Sequence, residues 1–76
     1  MNMTISLTHI ILETKIKIER NKKLFPDNIL KLKKNFLNAT GLSESVWDII
    51  YDFPPIKDQE DFDRMLEKIK EDYKCQ

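Results

Sequence analysis

The chain is nearly empty of the residues that announce chemistry. Its 76 residues include one cysteine, one histidine and one glycine. A single cysteine, Cys75, has no partner for an internal disulfide, which fits a reducing compartment, and nothing beside it lowers a thiol pKa. The single histidine, His9, has no second His or Cys near it, so the roughly four ligands that zinc takes are not assembled. One glycine cannot build a phosphate-cradling loop. Ser43 and Ser45 have no general base close in sequence, and capping accounts for them. The acids Asp58, Glu60, Asp61 and Asp63 lack the spacing and glycine of a calcium loop and read as the acidic first turn of a helix. The expectation is a non-enzymatic protein with no metal or cofactor.

Net charge is absent as well. Thirteen basic residues face thirteen acidic ones, which excludes a uniformly basic nucleic-acid binder or an acidic mimic and confines electrostatics to local patches. The longest apolar run is Ile10-Ile11-Leu12, and no basic region precedes it. That is too short for a signal peptide or a membrane span, so the chain reads as soluble and cytoplasmic, with no membrane partner. The sequon Asn38-Ala39-Thr40 then has no use.

What is present is helical patterning. A chain this short makes one domain, and it buries only about 60% of its unfolded surface, so a lone monomer is marginal. The organising stretch is Asp27 to Phe53, two amphipathic helices joined at Thr40-Gly41-Leu42. Gly41 falls where a left-handed C-cap is needed, and Ser43 follows as the next N-cap. Leu42 and Trp47 have the spacing of a hydrophobic staple, which puts Trp47 in the core. Before the turn, Ile29, Leu32, Phe36 and Ala39 form a stripe widened by Leu30 and Leu37, with Lys33 snorkelling out of it. Lys31, Lys34, Asn35 and Asn38 point away. After it, Val46, Trp47, Ile49, Ile50 and Phe53 share a face opposite Glu44, Asp48 and Asp52, and Pro54-Pro55 ends the helix. Phe62, Met65, Leu66, Ile69 and Tyr73 mark a last helix capped by Asp58.

Residues 4 to 20 fit two periods. As a helix, Leu7, Ile10, Ile11, Thr14 and Ile18 share a face, with Leu12 and Ile16 opposite. As a strand, Ile10, Leu12, Thr14, Ile16 and Ile18 alternate with charged neighbours. Opposite charges at i,i+4 (Glu13–Lys17, Lys15–Glu19, Glu19–Lys23) and the lack of any second strand favour the helix. The predicted fold is all-α, one domain over 1–76 with helices at 4–22, 27–40, 43–53 and 58–73. The alternative is an N-terminal strand followed by helices, paired across a dimer.

Two short resemblances bear on function. Ala39-Thr40-Gly41-Leu42-Ser43-Glu44-Ser45 resembles the turn of helix-turn-helix regulators, although Leu37 is bulky where that family has a small residue. The exposed Glu44, Asp48 and Asp52 would repel phosphate. The order Lys15-Ile16-Lys17-Ile18, helix, glycine turn, helix is similar to ribbon-helix-helix repressors. That resemblance implies a dimeric DNA-binding regulator with Lys15 and Lys17 entering the groove, but here the connection is longer and a fourth helix is added.

The favoured expectation is a small protein-binding regulator or inhibitor that acts through a helical surface. Its partner-binding residues are Lys31, Lys34, Asn35, Asn38 and Tyr51, the last an aromatic at the rim of an apolar face. A homodimer is also expected, with Ile5, Leu12 and Ile16 at its centre, because apolar side chains flank the first segment on both sides.

Overall fold

A computed structural model describes residues 6–74. Four helices run in order: α1 (Leu7–Leu24), α2 (Ile29–Thr40), α3 (Glu44–Asp52) and α4 (Gln59–Lys74), with a 3-10 turn at Pro26–Asn28 before α2. Among the described residues there is no strand, so the ribbon alternative falls and the fold is all-α.

Local chemistry sets most of the boundaries. Ser6 caps α1, its Oγ accepting the His9 N–H at 3.2 Å, and Lys22 and Lys23 lie in the last turn where the dipole favours cations. The i,i+4 pairs that stabilise α1 are His9–Glu13 at 3.2 Å and Lys15–Glu19 at 2.7 Å, and Glu19 turns toward Lys22 at 3.6 Å instead of toward Lys23. The helix runs to Leu24, beyond the expected end at 22, because the Phe25 N–H still bonds the Asn21 carbonyl at 2.9 Å. Pro26 opens a 3-10 turn in place of the first turn of α2, and the Asn28 side chain donates back to Asn21 Oδ1 at 3.1 Å.

The hairpin is built as its sequence implies. Gly41 has φ 71° and ψ 10°, and its N–H reaches the Leu37 carbonyl at 2.8 Å. Thr40 Oγ1 donates to the Phe36 carbonyl at 2.8 Å and accepts the Leu42 N–H at 3.1 Å. Ser43 Oγ accepts the Val46 N–H at 3.4 Å. Phe53 is extended ahead of Pro54, which ends α3. Asp58 Oδ1 then accepts the Asp61 N–H at 2.9 Å to start α4.

The short α3 is the hub: it packs on α1, α2 and α4, while α1 lies along α2. Its Val46, Trp47 and Ile50 are buried among Ile11 and Ile18 of α1, Phe36 of α2, and Phe62, Met65 and Ile69 of α4. Trp47 stacks obliquely between Phe36 (5.9 Å) and Tyr51 (6.3 Å).

Three expectations about which side chains are inside are corrected. Leu7, assigned to the packed face of α1, is 46% exposed, and Leu30, assigned to the α2 stripe, is 62% exposed. Conversely Leu12, expected to face outward, packs against the core. The rest of the expected inner face of α1 stands, since Ile11, Thr14 and Ile18 are buried, and Lys15 joins them.

Candidate functional site: a basic corner with exposed apolar side chains

The strongest departure from pattern is Lys15. It is 1% exposed, so it cannot be the outward DNA contact that the ribbon reading required. Its position follows from the prolines. In a continuing helix the carbonyls of Ile50 and Tyr51 would accept the N–H groups of residues 54 and 55, and both are proline, which has none. Lys15 Nζ donates instead to the Ile50 carbonyl at 2.7 Å, to the Phe53 carbonyl, and to Glu19 Oε2 at 2.7 Å. Lys22, one side-chain row along, donates to the Tyr51 carbonyl at 2.7 Å and lies 4.1 Å from the centre of its ring. Two ammonium groups of α1 thus replace the missing donors and sit at the negative end of the α3 dipole.

The electrostatics of this cluster are asymmetric. Burial pulls the Lys15 ammonium below its usual pKa, partly opposed by the hydrogen bond and charge of Glu19. Burial pushes Glu19 up, but the hydrogen bond and charge of Lys15, with Lys22, outweigh it and hold the carboxyl below its usual range. The cluster is therefore a clamp between α1 and α3. It secures Tyr51, which is half-buried against Trp47 and Lys22 and less available than the sequence implied.

Outside this clamp the other expected contact residues are on the surface. Lys17 is exposed, as are Lys31, Lys34, Asn35 and Asn38 of α2. A shallow cleft of about 210 Å³ beside them is lined by Asn21, Asn28, Lys31, Leu32 and Asn35. Lys33, expected to snorkel, is half-buried and reaches Glu44 Oε1 at 3.3 Å. Of the expected dimer residues, Ile16 is 48% exposed, Leu12 is packed inward and Ile5 lies outside the described residues.

Pattern reading missed the corner between α1 and α2. Leu24, Phe25 and Leu30 are 63%, 58% and 62% exposed, the most exposed large apolar side chains among the described residues, and they fall within seven residues of one another. Arg20, Lys23, Lys31 and Lys34 are exposed on the helix turns at either side, against one acid in the corner, Asp27. The wider distribution has the same sense. Residues 1–43 carry eight Lys/Arg against three Asp/Glu, a net +5; residues 44–76 carry five against ten, a net −5. This segregation was legible in the sequence by counting the halves separately, and the zero total conceals it. The exposed leucines and Phe25 were not legible, since the same pattern serves a buried stripe.

Among the described residues no group of three or more His, Cys, Asp or Glu is placed to hold a metal ion, and no helix is long and apolar enough to cross a membrane. Comparison of the chain with protein-family models, with curated proteins and with solved structures finds no match.

Proposed function

We propose that the protein is a non-enzymatic regulator or inhibitor that binds another protein through the basic helical corner of α1 and α2. The observation that carries this reading is the coincidence of three exposed apolar anchors, Leu24, Phe25 and Leu30, with a fringe of exposed lysines in the positive half of a charge-segregated molecule. Protein interfaces pair an apolar centre with a polar rim, and complementary charge steers the encounter. The partner presents an apolar patch edged by carboxylates. Lys31, Lys34, Asn35 and Asn38 extend the rim along α2, while Tyr51 is half-buried and held by Lys22.

Sequence-specific DNA binding fits less well. The ribbon it needs is a helix, Lys15 is inside, and α3 exposes Glu44, Asp48 and Asp52 where a recognition helix would meet phosphate. Affinity capture from host lysate, with and without nuclease, separates the two. Nuclease-resistant capture that Leu24→Ser/Phe25→Ser/Leu30→Ser abolishes supports the protein-binding reading. Capture that nuclease removes, or that survives the triple substitution, refutes it.

A further inference from the structure

The outward face of α1 carries cations that the fold leaves without counter-charge. Positions 16, 20 and 24 form one i,i+4 ridge along the helix, and 17 and 23 lie on either side of it. All five side chains are exposed, on the side of α1 opposite the buried Ile11, Thr14 and Ile18. Sequence spacing offers two carboxylates to this face, Glu13 to Lys17 and Glu19 to Lys23. Both are turned elsewhere: Glu13 holds His9 at 3.2 Å, and Glu19 bonds the buried Lys15 at 2.7 Å and lies 3.6 Å from Lys22. The side chains of Lys17, Arg20 and Lys23 make no ion pair or hydrogen bond with any described residue, Asp27 of the corner included. Ile16, 48% exposed, and Leu24, 63% exposed, end the ridge with Arg20 at its middle, over a length of about 12 Å.

Given the protein-binding role proposed for the corner, on which this step rests, we propose that the partner engages the outward face of α1 with an acidic amphipathic helix. Its carboxylates meet Lys17, Arg20 and Lys23, and its apolar side chains cover Ile16 and Leu24. An i,i+4 ridge seats between the ridges of a second helix, whose own i, i+3, i+4 and i+7 positions set acids and apolar groups at matching heights. A second copy of this chain fits poorly. Laid on itself, the face would set Lys17, Arg20 and Lys23 against their equivalents. The α4 helix of another copy mixes its acids with exposed Arg64, Lys68 and Lys70, and its Phe62, Met65 and Ile69 are already buried in its own core. An anionic bilayer fits poorly too, because a bilayer that took in both Ile16 and Leu24 would take in the Arg20 guanidinium between them. A carboxylate on a partner helix pairs that guanidinium where it stands.

Fluorescence anisotropy of a labelled peptide tests this with the full chain. The probe is a peptide of about 18 Leu, Glu and Ala residues, long enough to form a helix, with Leu at i, i+3, i+4 and i+7 and Glu beside it. A permuted peptide of the same composition spreads its Leu around the helix. The ordered peptide binds, and its affinity falls as salt rises; the permuted one binds at least about tenfold less tightly. Lys17→Gln/Arg20→Gln/Lys23→Gln weakens the ordered peptide about tenfold or more. Ile16→Ser weakens it severalfold, and circular dichroism verifies that each variant is folded. No binding of the ordered peptide, equal binding of the permuted one, or binding that both variants leave unchanged overturns the proposal. Retention of the chain on vesicles of phosphatidylserine and phosphatidylcholine, with no peptide bound, overturns it as well and gives the face to a membrane. Lysate capture through the corner uses none of these variants. Capture that stands while the peptide fails sinks the acidic helix alone, and an absence of capture sinks the docking reading itself.

Discussion

Replacing Lys15 with methionine tests the clamp between α1 and α3. Methionine keeps the length and apolar stem of lysine and removes the three donated hydrogen bonds. The Ile50 and Phe53 carbonyls then lose their donor, and Pro54 cannot supply one to Ile50. A buried acceptor left unpaired costs about 1–3 kcal/mol. Two effects reduce the loss. The desolvation penalty of a 1% exposed ammonium disappears, and Glu19 keeps Lys22 at 3.6 Å and some access to water. The net expectation is a destabilisation of about 2–4 kcal/mol, against a total of about 4–11 kcal/mol for a chain of this size. Urea unfolding followed by far-UV circular dichroism and by the fluorescence of Trp47 measures it. A second substitution isolates the cause. Pro54→Ala lets Phe53 return to helical backbone and restores an N–H to bond the Ile50 carbonyl, so Lys15→Met should cost less in that background than in the wild type, and the double-mutant cycle reports the difference. A Lys15→Met variant within about 0.5 kcal/mol of the parent would refute the clamp. So would strict additivity with Pro54→Ala.

Three further outcomes are expected. Gly41→Ala should lose about 1 kcal/mol; a β-carbon there meets nothing within 4 Å, so the loss comes from φ 71° and not from a clash, and an unchanged urea midpoint would contradict the left-handed cap. Trp47→Ala should cost about 3–5 kcal/mol, enough to unfold much of the population, because the ring is 3% exposed and packs on Phe36 and Tyr51; a well-folded variant would move Trp47 out of the core. The Glu19 carboxyl is held below its usual value of 4.5 in the folded state, so the unfolded chain binds more protons there in acid. Its contribution is complete above that value and is lost as pH falls through the lower folded value; Glu19→Gln should flatten this part of an acid-unfolding profile, and an identical profile would refute the assignment.

Most of the helix ends were written locally. Gly41, Ser43, Pro54 and Asp58 each act on the backbone within a few residues, so a reader of the sequence can place the hairpin and the start of α4 without knowing the fold. The charge segregation of the two halves was equally present in the residues, although a whole-chain total hides it. The inner face of α1 was legible in Ile11, Thr14 and Ile18 but not in Lys15. Periodicity treats apolar character as a proxy for burial, and by that measure Lys15 belongs outside and Leu7 inside. The outcome is reversed because the carbonyls that Pro54 and Pro55 leave unbonded lie 35 and 29 residues from Lys15 and Lys22 in the chain. Only packing brings them together. Once α3 lies across α1, an ammonium that satisfies those carbonyls is held inside, while Leu7, on the same helical face, lies in the first turn at the rim. Leu24, Phe25 and Leu30 were left exposed by the same tertiary choice, since the corner that joins α1 to α2 projects beyond the reach of the core.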